Sequence, residues 1–231
     1  MWLGRAYGEK ADRASVLSGY GLGKKVRAEF EAAVNLDGHN GEALSDLGEF
    51  YYSAPSLVGG GVGKAEGIAR KLDTIDAVRA QELRGRIAEH EKDYTKAEAA
   101  FKASVAASVH PAHQWSTLAS YYRRRERWDE MLQAVKAVAA TDKQHTASLV
   151  NGASSLIRSK REPKLAIQML ESYLASNKKT EEAPAFAVHV QLGKLRQETG
   201  DSAGAQSEFQ AALALAKDYK PAQQQATNSG R

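Results

Sequence analysis

Apolar residues recur along this chain at helical spacing. In residues 94–109 they are Tyr94, Ala97, Phe101, Val105 and Ala106, with Thr95, Lys96, Glu98 and Lys102 between them. Steps of three and four residues keep one face of a helix apolar and the other wet. The preceding stretch, 77–91, carries Ala80, Leu83, Ile87 and Ala88 in the same way, and Lys92 and Asp93 form the turn. The pattern predicts an antiparallel helix pair. It returns at 113–126 with Trp115, Leu118, Ala119 and Tyr122, and at 128–141 with Trp128, Met131, Val135 and Val138. Two more pairs follow, 147–160 with 163–175 and 185–199 with 202–217. Gly200 turns the last pair, because glycine takes the positive φ that closes a helix C-terminus.

The second helices share two positions four residues apart. They hold Val26 and Phe30, Ala65 and Ala69, Ala97 and Phe101, Met131 and Val135, Ala166 and Leu170, and Ala205 and Phe209. From position 26 to 65, 97, 131, 166 and 205 the intervals are 39, 32, 34, 35 and 39 residues. A period of about 34 residues is that of a two-helix repeat, whose apolar face is covered by its neighbours in a stack.

The stretch QLGKLRQETGDSAGAQSEFQAAL is specific enough to name a resemblance. Leu192, Gly193, Gly200, Ala205, Phe209 and Ala212 match the tetratricopeptide repeat motif in place. Leu47, Gly48 and Tyr51 match the first-helix half of another copy, as do Leu3, Gly4 and Tyr7, and Trp115, Leu118, Ala119 and Tyr122. Arg84 and Ala153 stand at the usual Leu position in two degenerate copies. The resemblance implies an all-α, right-handed solenoid of about six helix-turn-helix repeats. It implies repeats near 1–38, 41–75, 77–110, 112–144, 147–179 and 185–219, forming one array over 1–219. Residues 220–231 are a polar tail that either caps the last pair or is disordered.

Two repeats depart from the plan. The step from the first-helix Tyr to the second-helix small position is nine residues from Tyr122 to Met131, 14 from Tyr51 to Ala65 and 19 from Tyr7 to Val26. Both excesses fall in the turn inside a pair. Such turns emerge on one edge of a stack, so the two insertions are expected to be neighbours in space, and such an edge often binds. Around 15–25 the first insertion reads as a loop carrying Leu17, Tyr20 and Leu22.

Composition narrows the functional classes. The 231 residues include no cysteine, which excludes disulfides and thiolate-bound metals. Net charge is +4, mixed along the helices rather than gathered into a stripe, so no nucleic acid is expected. There is no run of the 18 or more apolar residues a membrane span requires. Trp2 and Leu3 already sit inside a helical pattern, so Met1 reads as an added start on a fragment. The chain is then cytoplasmic or, with a signal removed upstream, periplasmic. The exposed first helix leaves room for a homo-oligomer.

No catalytic, metal or cofactor constellation stands out. HEKD at 90–93 lacks the second His of a metalloprotease motif, and His110 and His113 have no third ligand beside them. The loop edge Leu57, Gly59, Gly60, Gly61, Gly63 and Lys64 resembles a phosphate loop. However, Val58 stands at its first Gly position, Ala65 at its Ser/Thr position, and no strand precedes it. A small ligand or anion held by backbone N–H groups remains as an alternative function. The resemblance implies a non-catalytic scaffold for a protein or peptide, gripped by the first helices. The expected groove residues are Arg86, Tyr121, Arg123, Arg124, Asn151 and Arg158.

Overall fold

The computed structural model describes residues 1–13 and 16–228, apart from the side chains at 12, 16, 17, 227 and 228. Among the described residues the regular structure is helical throughout. The chain divides into two compact units. The first, Met1–Val109, holds α1 (Trp2–Asp12), α2 (Val16–Leu36), α3 (Gly41–Ser53), a 3₁₀ turn (Ser56–Val58), α4 (Val62–Leu72), α5 (Ala77–His90) and α6 (Tyr94–Ala107). The second, His110–Arg231, holds α7 (Ala112–Arg124), α8 (Trp128–Thr141), α9 (Ala147–Ser159), α10 (Pro163–Ala175), α11 (Ala185–Glu198), α12 (Ser202–Leu215) and α13 (Lys220–Asn228). In each unit consecutive helices pair, and each pair packs on the next. This is an α-solenoid of helix-turn-helix repeats.

Local chemistry starts the helices where they start. Asn40, Asp76, Asp93 and Asp201 accept the backbone N–H three residues on, at 2.9 to 3.1 Å, and so cap α3, α5, α6 and α12. Three turns inside the pairs close through one left-handed residue just before the cap: Gly200 takes φ +90°, and Lys92 and Glu126 take φ 63° and 56° at the matching places. The α9–α10 turn instead uses two left-handed residues, Lys160 and the cap residue Glu162, at φ 55° and 45°.

In three repeats the motif glycine is a hole for a ring, and at Gly48 it is a hole for Leu83. A Cβ on Gly85 would lie 2.6 Å from the Phe101 ring, and one on Gly193 would lie 2.5 Å from Phe209. The same contact joins Gly4 to Phe30, at 2.6 Å, although the longer insertion lies between these two residues in sequence. Phe101, Phe209, Leu118, Met131 and Leu170 are fully buried.

The first insertion corrects the sequence reading. Residues 16–25 are the N-terminal end of α2, which runs for 21 residues. Gly19, Gly21 and Gly23 suggested a loop, since each costs a helix about 1 kcal/mol relative to alanine. Packing overrides that preference: Val26 and Phe30, further along the same helix, are buried, and the Gly23 face lies against Val58. Tyr20 is 37% exposed and Leu22 half-buried, while the Leu17 side chain lies outside the described residues.

The second insertion folds as the 3₁₀ turn and a glycine-rich loop. Val58 plugs a cluster of Val26, Phe30, Leu47 and Phe50. Gly60 passes so close to the Ala54 carbonyl that no side chain would fit there. Arg27 of α2 lies across Gly59. The two insertions are therefore in contact, as the shared edge predicted. At the other end, residues 220–228 form α13, with Ala222 buried against Val190 and Ala212, and Phe186 edge-on to Tyr219 at 4.8 Å.

Candidate functional site

Within the second unit the first helices α7, α9 and α11 present polar residues along one face. Ser120 on α7 meets Ser155 on α9 at 3.4 Å, and Gln191 on α11 donates to Ser154 on α9 at 2.9 Å. These contacts fix the register of the three helices. One turn beyond Ser120 stands Arg123, and one turn beyond Ser154 and Ser155 stands Arg158. Arg124 and Asn151 are exposed nearby on α7 and α9.

Arg123 is the electrostatic focus of this face. It is half-buried, and its pKa is pushed below the ordinary arginine value, first by burial and then by the charges of Arg158 and Arg124. Among the described residues neither Arg123 nor Arg158 has an acidic group within ion-pair distance. Two guanidinium groups so placed favour an incoming anion, since each offers a fork of N–H donors matched to a carboxylate.

Two expected groove residues fall elsewhere. Tyr121 is 1% exposed and belongs to the core, its ring tilted against Tyr122 at 5.6 Å, so it offers no surface to a partner. The buried face of α7 is wide enough to take both neighbouring tyrosines. Arg86 lies in the first unit on α5. Burial lowers its pKa, but Glu49, Tyr52 and Glu82 outweigh that and raise it, so its charge is already answered within the chain.

The glycine-rich edge satisfies itself. Gly59, Gly60 and Gly61 donate their backbone N–H groups to Ser56, Pro55 and Tyr51 carbonyls at 2.9, 3.2 and 2.6 Å. Lys64 turns inward, donating to the Gly59 carbonyl at 2.8 Å above the Tyr51 ring. Gly63 sits in the first turn of α4. The loop thus folds back over the repeat through its own backbone bonds, and Leu57, 74% exposed, remains at its rim.

The serines and Gln191 were missed by the sequence reading. The signal for the serines was their register, three or four residues before Arg123 and Arg158 on the same helices, and Gln191 carried no such signal. Among the described residues no group of three His, Cys, Asp or Glu side chains could hold a metal ion, and no helix is long and apolar enough to cross a membrane.

Comparison with solved structures agrees with this architecture. PilW, a widely conserved type IV pilus biogenesis factor, superposes with a TM-score of 0.58 at 14% identity, over 96% of this chain and 97% of that one. YrrB, a TPR protein with an unusual peptide-binding site, gives 0.50 at 14%, over 84% of this chain and 96% of the other. A tetratricopeptide repeat protein from Parabacteroides merdae gives 0.50 at 14%, over 96% and 88%. The fold is therefore that of the tetratricopeptide repeat proteins. No protein-family model matches the sequence, and no curated protein matches it.

Proposed function

We propose that this chain is a non-catalytic scaffold for a protein or peptide partner, and that its second unit grips an acidic segment of that partner. The observation that carries the reading is that the Arg158 charge acts on Arg123 while, among the described residues, no acid pairs with either. A carboxylate placed there relieves the repulsion and gains charge-assisted hydrogen bonds. Asn151, Ser154 and Gln191 supply neutral donors and acceptors along the same face, as a peptide backbone needs. Arg124 adds charge at the end of α7. That YrrB, alike in fold, has a peptide-binding site supports this class of occupant.

Fluorescence anisotropy with a labelled Glu-rich peptide tests the proposal, with its Lys counterpart as control. The acidic peptide should bind and weaken with salt. The double variant Arg123→Glu/Arg158→Glu should lower affinity by about thirtyfold, the equivalent of about 2 kcal/mol. Equal binding of the Lys peptide, or undiminished binding by the variant, would sink the idea.

A further inference from the structure

The two insertions build a second feature, wholly inside the first unit. A groove of about 960 Å³ runs between α1, the N-terminal half of α2, the C-terminal half of α3 and the 3₁₀ turn. Its floor is apolar, with Val26, Phe30, Phe50 and Val58. Tyr20 and Leu57 also line it and stay exposed. Its charged residues are Arg5, Glu9, Asp46 and Glu49. Arg5 is held by Asp46 and Glu42, each at 2.7 Å. Glu9 and Glu49 are exposed, and Glu49 also acts on Arg86. Three acids against one base make this lining acidic on a chain whose net charge is +4.

Gly8 indicates what fits. At Gly4, Gly85 and Gly193 the missing side chain is explained by a ring from the paired helix. Gly8 stands one turn beyond Gly4 on α1 and lines the groove, yet a Cβ there would meet nothing within 4 Å. Gly19, on the α2 side, would meet the Ala11 carbonyl at 3.8 Å, an ordinary contact. Glycine inside a helix is less stable than alanine, and nothing among the described residues requires it at either place. The groove walls are lowered at these two positions without an internal reason.

We propose that the groove receives an amphipathic helix of a protein partner. A large apolar side chain of that helix sits over Gly8, flanked by Tyr20 and Leu57, and its basic residues meet Glu9 and Glu49. A ring over a helical glycine is how α1 already holds α2, and it is a helix-to-helix contact. The acidic lining selects the basic partner. This site lies in the other unit from the arginine face, takes the opposite charge, and does not rest on that reading.

The test uses the full chain carrying Arg123→Ala and Arg158→Ala, so that the arginine face does not hold the acidic control, and two labelled helical peptides of about 14 residues, roughly four turns. Both carry the same Leu/Phe stripe, one with a Lys face and one with a Glu face. The Lys-faced peptide should bind at least about tenfold tighter. Gly8→Leu should cut that binding about tenfold while raising the melting temperature by about 2 °C, because it fills the hole and favours the helix. Leu57→Asp, on an exposed side chain, is the second variant should the first misfold. Equal binding of the two peptides overturns the proposal. So does undiminished binding by both variants. Sedimentation of the protein alone decides a third outcome: a dimer that Gly8→Leu dissociates would give the groove to a second copy and overturn it as well.

Discussion

Tyr51 ties the second repeat to the first, its hydroxyl donating to Glu31 at 2.9 Å. Burial, and then the Glu31 carboxylate, push its pKa up to about 12. A folded value above the ordinary value of 10.0 means that the protonated phenol stabilises the fold. That contribution is whole below pH 10 and declines as pH rises towards 12. Burial raises the pKa of Tyr52 as well, so an absorbance titration of the phenolate should show late-titrating tyrosines, one fewer in Tyr51→Phe and one moved down in Glu31→Gln. Ordinary titration of every tyrosine in the wild type would refute this. Some residues were legible in the sequence and others were not, for a physical reason. Arg123 and Arg158 were found because repeat register places them on first helices. Tyr121 misled, since one step along a helix separates a groove position from a core position, and α7 buries both Tyr121 and Tyr122. The partners that answer Arg86 come from α3 as well as α5, and periodicity within one repeat does not report them.

Among the helices and turns, the pairs were readable because each needs an apolar stripe and a stop. Gly200 announces its stop by residue type. Lys92 and Glu126 do not, though both take the same left-handed conformation. A non-glycine residue there costs about 1 to 2 kcal/mol, which glycine avoids at some loss of unfolded-state entropy. Lys92→Gly and Glu126→Gly should therefore each stabilise the protein, by about 0.5 kcal/mol, measured as a shift in the urea midpoint. Gly193→Ala should act in the opposite sense. Its methyl would lie 2.5 Å from the Phe209 ring, and overpacking of this kind costs about 1 to 3 kcal/mol. If alanine at 193 proves neutral, the hole is not filled as described. The helical start of α2 was hidden because glycines at 19, 21 and 23 argue locally for a loop. The reasons they are helical, Val58 and the packing of Phe30, lie elsewhere in the chain.

At the scale of the whole chain, α13 closes the second unit by burying Ala222 on Val190 and Ala212. Removing residues 220–231 uncovers that apolar surface, an expected loss of about 2 kcal/mol. Amide exchange should quicken in α11 and α12, and unchanged exchange there would show that α13 caps nothing. The array itself was legible from its period, because stacking demands the same contact every 34 or so residues. The groove was not, because it arises where two departures from the period meet, and each looked like a loop alone. The Gly4–Phe30 contact carries a wider consequence. It is the same contact as Gly85–Phe101 and Gly193–Phe209, even though ten residues were added between its two partners, lengthening the helices rather than the turn. Extending both helices of a pair beyond their contact leaves that contact untouched. Such helix ends are places where a lineage can acquire new surface in a single genetic event, with selection acting on the addition and the older scaffold left unaltered.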